Sequence, residues 1–233
     1  MKLSILIPVY NEAKTIRLCL EKVANTDTGY HELQKEIIVI DDGSTDGTRE
    51  VLESLAIANM KIVNNERNLG KGAAISRGIK EADGDIILIQ DADLEYDPQD
   101  YAILLKPIVR GVADVVYGSR FIGNGPHRIF FFLHRLANGV LTFLCNMVTG
   151  LNLSDMECGY KVFTKKAIES IVLREKDFRF EVEVTIKLAK KRFRFYEAGI
   201  SYYGRTYQEG KKIRWIDGFR AIFCIFKYGL LSK

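Results

Sequence analysis

The chain is short of the residues that staple or punctuate small folds. Four cysteines, four prolines, three histidines and one tryptophan are spread over 233 residues. Cys19, Cys145, Cys158 and Cys224 stand in no C-x-x-C spacing, which argues against a zinc ribbon or a disulfide framework. With no leader ahead of Leu3, the thiols are expected to be reduced, in a cytosolic setting. Neither G-x-G-x-x-G nor the Walker phosphate loop occurs. Gly70-Lys71-Gly72 has the spacing of neither and reads as a helix start where backbones approach closely. No run of about 20 apolar residues is present, so no transmembrane helix is expected. Long linkers and internal repeats are absent too.

What the chain does have is a core-forming composition, 47% hydrophobic and 27% charged, enough for one substantial domain over residues 1–233. Its net charge of +4 hides an asymmetry: residues 1–118 carry 13 Lys and Arg against 20 Asp and Glu, and residues 119–233 carry 21 against 10. A basic second half suits nucleic acid, an anionic membrane surface or a phosphorylated substrate. Here the basic residues are interleaved with apolar helical stretches and no nucleic-acid motif accompanies them, so nucleic acid is not expected as a partner.

Strand and helix patterns alternate, as a parallel α/β sheet requires. Strands are predicted at Leu3–Val9, Glu36–Ile40, Lys61–Val63, Asp85–Ile89 and Asp114–Tyr117. Helices are predicted from Glu12 (capped by Asn11), and over Thr48–Leu55, Lys71–Glu81 and Pro98–Val109. Beyond Gly118 the pattern changes. A basic apolar helix over Arg128–Leu151 is followed by a strand near Tyr160–Phe163, helices near Lys165–Ile171 and Glu181–Lys191, a strand pair near Phe195–Tyr203 and a terminal helix. The first and last of these helices mix Phe, Leu and Trp215 with Arg128, Arg135, Arg220 and Lys227, the make-up of helices that lie in a membrane interface.

The apolar run Ile86–Ile89 ends in three acids spaced two apart, Asp91, Asp93 and Glu95. Buried strands of open α/β sheets bring their carboxyl ends to the ligand crevice. Crowded carboxylates repel unless a cation neutralises them, and oxygen donors suit Mg²⁺ or Mn²⁺. Three further loops should converge there: Pro8-Val9-Tyr10-Asn11-Glu12, Asp41-Asp42-Gly43-Ser44-Thr45-Asp46-Gly47-Thr48 and Tyr117-Gly118-Ser119-Arg120. A nucleotide needs a base reader, an acceptor for ribose hydroxyls and positive charge for its pyrophosphate, and Tyr10, Asp42 and Arg120 are of the right types.

Taken together with Asn68-Leu69-Gly70-Lys71-Gly72 and Arg205-Thr206-Tyr207-Gln208-Glu209-Gly210-Lys211, these loops make the chain resemble an inverting family 2 glycosyltransferase of the GT-A fold. The late Arg-Thr-Tyr segment is similar to that of the dolichyl- and polyprenyl-phosphate sugar synthases. The resemblance implies a GT-A, mostly parallel sheet flanked by helices. In it residues 1–118 bind the nucleotide sugar, and residues 119–233 serve the acceptor and carry amphipathic interface helices. It implies hexose transfer from GDP-mannose or UDP-glucose to a polyprenyl phosphate, with a sugar-hydroxyl acceptor as the alternative. Pro8, Tyr10, Glu12, Ile40 and Asp42 would surround base and ribose. Asp91, Ala92 and Asp93 would face the diphosphate, Asp93 and Glu95 would hold Mg²⁺ or Mn²⁺, and Arg120, Arg205 and Lys211 would contact phosphates. Many relatives have Gln where this chain has Glu95. Asp93, Arg120 and Asp155 are the expected catalytic residues, and Arg120, Arg128 and Arg135 the expected contacts of the acceptor phosphate. His134 reads as a packing residue.

A phosphate acceptor is already deprotonated near neutral pH and needs no general base. On that ground an Asp155→Asn variant is expected to keep substantial turnover, whereas a sugar-hydroxyl acceptor would need the base. Many relatives continue into transmembrane helices, while this sequence stops at Lys233. Attachment at the cytoplasmic face of a membrane is therefore expected to be peripheral, through the two amphipathic stretches or a membrane-protein partner.

Overall fold

A computed structural model of the protein describes residues 1–123, 128–129, 132–205 and 215–231, the side chains of residues 216 and 231 excepted. Its centre is a seven-stranded sheet. The strands are β1 (Lys2–Val9), β2 (Gln34–Asp41), β3 (Met60–Asn64), β4 (Ile86–Ile89), β5 (Val115–Ser119), β6 (Lys161–Thr164) and β7 (Phe195–Gly199), in the order β3-β2-β1-β4-β6-β5-β7. All pairings are parallel except those of β6, which runs antiparallel between β4 and β5. β1 shows why the sheet is central. Leu3, Ile5, Leu6 and Ile7 are fully buried, so the strand is covered on both faces, as its continuous apolar run requires.

Helices close both faces. Helices α1 (Ile16–Asn25), α2 (Thr48–Glu53) and α4 (Tyr101–Val109, entered through a 3₁₀ turn at Pro98–Asp100) supply Leu20, Leu52 and Leu105 to one apolar cluster. Helices α3 (Lys71–Glu81), α5 (Phe132–Thr149), α6 (Lys165–Glu169), α7 (Phe180–Lys190) and α8 (Trp215–Phe226) supply Ile75, Cys145, Ile168, Ile186 and Ile225 to the other. A π-helical turn at Lys227–Leu231 follows α8. All four cysteines are buried free thiols, and burial pushes the Cys158 thiol up to about 12.

Three expectations need correction. Asn11 does not cap the first helix. It lies at φ +52° and clamps the neighbouring loop, its N–H donating to Ser44 Oγ (3.0 Å) and its Oδ1 accepting from Thr45 N–H (2.8 Å), while the helix begins at Ile16. The strand pair near Phe195–Tyr203 is one strand, β7, parallel to β5, after which Tyr202 makes a single antiparallel bridge to Tyr96. Arg128 precedes α5 rather than opening it, and its N–H donates to the Tyr202 carbonyl (3.0 Å).

The sheet reverses direction of growth at β1, with β2 on one side and β4 on the other. Ligand crevices form at such switch points, beyond the carboxyl ends of the strands. Because β6 is antiparallel, the loop that leads into it, Asp155–Tyr160, opens onto that same edge.

Candidate functional site

Beyond the carboxyl ends of β1, β2 and β4 lies a cavity of about 740 Å³. Pro8, Tyr10, Glu12, Asp42, Asp91, Ala92, Asp93, Glu95, Arg120 and Arg205 all reach its wall, so most of the residues singled out in the sequence do converge. Ile40 does not. Its side chain is fully buried in the core beneath, against Gly78, where only the missing Cβ of a glycine leaves room. Lys211 lies outside the described residues.

The loop after β2 is organised by Asp42. Its carboxylate accepts from Asn65 Nδ2 (2.7 Å), Leu69 N–H (3.0 Å) and Gly70 N–H (2.7 Å). The group expected to take ribose hydroxyls is therefore first engaged in pinning the turn that starts α3. Gly70 sits there at φ +99°, facing the Lys176 carbonyl, and a Cβ would collide with it.

The three acids after β4 are divided between two cations. Lys71 Nζ lies 2.8 Å from Asp91 and 3.2 Å from Glu181 of α7. Burial opposes the ammonium, but Asp91 and Glu181 outweigh it and raise its pKa. Arg205 gathers the rest, meeting Asp93 Oδ2 at 2.8 Å and both Glu95 Oε1 and Glu12 Oε2 at 3.3 Å. Glu95 also accepts from the Tyr202 hydroxyl at 2.6 Å. Burial, with Asp91 and Glu95 close by, pushes the Asp93 carboxyl up to about 7 despite the opposing Arg205.

This geometry suits a hard divalent cation. Oxygen donors from Asp93 and Glu95 already converge on one positive group, the Arg205 guanidinium, which stands where a cation is needed. Among the described residues no set of three His, Cys, Asp or Glu side chains is placed to hold a metal unaided. Two carboxylates with ligand phosphates completing the shell is the arrangement Mg²⁺ ordinarily takes.

Arg120 enters from the end of β5, fixed by Asp155. Its Nε and Nη2 donate to the two Asp155 oxygens at 2.6 and 2.7 Å, its N–H donates to Oδ2 at 3.0 Å, and Asn138 Nδ2 donates to Oδ1 at 3.1 Å. Burial acts against the Arg120 cation, yet Asp155 more than compensates and raises its pKa. Asp155 is completely buried and off the cavity wall, so its carboxylate anchors Arg120. Of the other arginines, Arg128 donates to the Gly204 carbonyl (2.7 Å) and Arg135 lies over the Phe121 ring, 4.5 Å from its centroid. Both are exposed and neither lines the cavity.

Several wall residues were missed in the sequence: Lys71 as a charge partner, Arg220, which was read as an interface cation, and Tyr96, Glu157, Glu181 and Tyr202 altogether. A signal existed for some. Glu181 sits in the apolar stretch Phe180–Ile186, and Lys161 stands at full burial in β6, where a charge is retained only with partners. The two do pair. Burial, reinforced by Glu181, pushes the Glu157 carboxyl up to about 7.

Known proteins are similar to this chain in sequence and in fold. Residues 4–172 match the family described as Glycosyl transferase family 2. The chain is 28% identical to a dolichol-phosphate mannosyltransferase of Pyrococcus furiosus, over 98% of this chain and 64% of that protein. It is 30% identical to a dodecaprenyl-phosphate galacturonate synthase of Rhizobium johnstonii, over 77% of this chain and 53% of that one. It thus spans between about half and two thirds of the length of these curated relatives. Among solved structures, a glucosyl-3-phosphoglycerate synthase of Mycobacterium tuberculosis in complex with Mn²⁺, UDP and phosphoglyceric acid superposes with a TM-score of 0.75 at 17% identity, covering 98% of this chain and 78% of that one. That likeness establishes the fold, a mostly parallel GT-A sheet flanked by helices. With the family match spanning most of the sheet and its loops, this chain belongs to glycosyl transferase family 2.

Proposed function

We propose that the protein transfers a hexose from a nucleotide sugar, GDP-mannose or UDP-glucose, to a polyprenyl phosphate, with inversion at the anomeric carbon. The observation that carries this reading is the cavity itself, where Asp91, Asp93 and Glu95 face Lys71, Arg120 and Arg205 across one space. With a divalent cation taken up by the acids and Arg205 released from them, such a site suits a ligand with several phosphate charges. The names of the Pyrococcus and Rhizobium relatives point to a polyprenyl-type phosphate as acceptor. Both halves of the chain then act as one catalytic domain, the first holding the donor and the second the acceptor.

In this mechanism Pro8 and Tyr10 flank the base, and Arg205 leaves the acids to meet the donor phosphates. Asp93 and Glu95 would hold Mg²⁺ or Mn²⁺, which supplies charge stabilisation to the departing nucleoside diphosphate. Arg120, pre-set by Asp155, screens the incoming phosphate, with Arg128 and Arg135 beyond the cavity along its path. That phosphate has a second pKa near ~6 and attacks without a general base. The engagement of Asp155 by Arg120 and Asn138 agrees with this, since both carboxylate oxygens are taken up in holding those side chains.

The acceptor is expected to be reached from a lipid surface. Phe132, Leu133 and Phe143 of α5 and Trp215, Phe219 and Phe223 of α8 are all more than 60% exposed, on two helices that pack together. No described helix is long and apolar enough to cross a membrane, and the exposed rings of α5 and α8 support contact in the plane of the interface.

The test is transfer from radiolabelled GDP-mannose and UDP-glucose to a short-chain polyprenyl phosphate with Mg²⁺ or Mn²⁺. Label should enter the organic phase as a glycosyl phosphate, be abolished by EDTA and be absent with the free polyprenol. Transfer only to sugar hydroxyls would replace this reading with polysaccharide or glycan synthesis.

A further inference from the structure

The loops meet the cavity in an order set by the sheet. Asp42 follows β2, Pro8 and Tyr10 follow β1, Asp91 and Asp93 follow β4, and Glu157 and Gly159 lead into β6. A nucleotide sugar lying along this edge, base toward β1 and β2 and diphosphate at the acids, directs its sugar ring toward the β6 end.

That end is polar and almost, but not wholly, satisfied. Lys71 bridges Asp91 and Glu181. Lys161, completely buried, makes an ion pair with the second Glu181 oxygen and donates to the carbonyls of Met156 (3.0 Å) and Cys158. Two carboxylate oxygens here, Glu181 Oε2 and Glu157 Oε1, are buried and meet no hydrogen-bond donor, and of the two only Glu181 Oε2 has an ion pair, to Lys161, among the described residues. Leaving a buried acceptor unpaired is costly, typically about 1–3 kcal/mol and more for a charged group. Such a group is retained most readily where a ligand brings the donor. Hexose hydroxyls are donors of the right kind, and adjacent hydroxyls match a carboxylate beside an ammonium.

We infer that Glu157 reads the donor sugar, accepting a hydroxyl hydrogen of the hexose at the β6 end of the cavity and favouring a neutral hexose over a hexuronate. The second clause follows from charge. Once Glu157 is ionised, Asp91, Glu157 and Glu181 set three carboxylates against the two ammonium groups of Lys71 and Lys161, so a sugar carboxylate then enters a site in negative excess. The inference rests on the nucleotide-sugar reading above.

Equilibrium binding to the full chain in Mg²⁺ separates the two. The probes are UDP, GDP, UDP-glucose, GDP-mannose and UDP-glucuronate, and the proteins are wild type, Glu157→Gln and Glu157→Ala. Wild type should bind UDP-glucose or GDP-mannose at least about tenfold more tightly than UDP-glucuronate. Both variants should lose about ten- to a hundredfold for the preferred nucleotide hexose, the alanine more, while holding UDP and GDP within about twofold. The gap to UDP-glucuronate should narrow in Glu157→Gln. Unchanged hexose binding in both variants overturns the inference, and so does an equal loss for the bare diphosphates, which marks a structural role. If wild type binds neither UDP nor GDP, the nucleotide-sugar reading itself fails. If it binds them but ignores Glu157, that reading stands and only this inference falls.

Discussion

Asp155 shows how a carboxylate in a catalytic family segment can serve through its partner. Both oxygens are committed to Arg120, whose side chain is only 13% exposed. Removing one member of a buried, hydrogen-bonded pair leaves an uncompensated charge and typically costs about 3–5 kcal/mol. Asp155→Asn is therefore expected to lower the melting temperature and to cut transfer at every pH, replacing the expectation from sequence that turnover survives. Raising the pH should not restore the rate, because the lost group is an anchor. Recovery at high pH would instead mark Asp155 as a base. Glu157 makes the opposite case. Its folded-state pKa is raised to about 7 from an ordinary 4.5, so the folded protein holds this proton where the unfolded chain has released it. Stability is consequently lost as pH rises between those values and stays reduced above them, by up to about 3 kcal/mol. Glu157→Gln should match wild type in melting temperature at pH 4.5 and exceed it at pH 8. Equal melting temperatures at pH 8 would show that the Glu157 charge is accommodated without strain.

At the scale of elements, α3 was legible to the residue, Lys71–Glu81, because a glycine start and a clean apolar face leave little choice. Its start also yields a prediction. Gly70 is at φ +99° with the Lys176 carbonyl where a Cβ would stand, and its N–H donates to Asp42. Gly70→Ala should destabilise by at least about 1–3 kcal/mol, read as a lowered denaturation midpoint, and should weaken UDP or GDP binding through the displaced Asp42 turn. A midpoint within error of wild type would mean that the turn relaxes freely. Strands β1, β2 and β4 were legible from their apolar runs to within one or two residues at each end, and with them the positions of Tyr10, Asp42 and Asp91. What escaped was non-local. The antiparallel insertion of β6 between β4 and β5 is a tertiary fact, and it alone brings Glu157 to the crevice. The pairing of Lys71 with Glu181 spans chain segments that no local period connects. Asn11 misled because its side chain bonds to a loop more than 30 residues away, and local bonding by Asn reads in sequence as a cap.

Across the whole molecule, charge and apolar exposure are distributed together. The first half carries a net seven negative charges and the second a net eleven positive, and the second half also bears the exposed faces of α5 and α8. Large apolar side chains gathered on one surface are uncommon unless something covers them. Phe132, Phe143, Trp215, Phe219 and Phe223, with Arg135 exposed on α5, match the requirements of a lipid interface: rings for the acyl boundary and a cation for anionic headgroups. The basic half would then face the bilayer while the acidic half, with the nucleotide loops, is held away from headgroup charge. Trp215, the sole tryptophan and 79% exposed, reports directly on this arrangement. The protein should sediment with vesicles containing anionic lipid, with a blue shift in Trp215 emission. Binding should weaken with salt yet not vanish, since ring insertion is insensitive to screening while the cationic contribution is not. A double Phe219→Ser, Phe223→Ser change should reduce sedimentation at least about tenfold, from the apolar area withdrawn, with UDP and GDP binding unaltered. If the spectrum and sedimentation of wild type are unmoved by anionic vesicles, the exposed faces of α5 and α8 must be covered by protein, and the acceptor must reach Arg120 by another route.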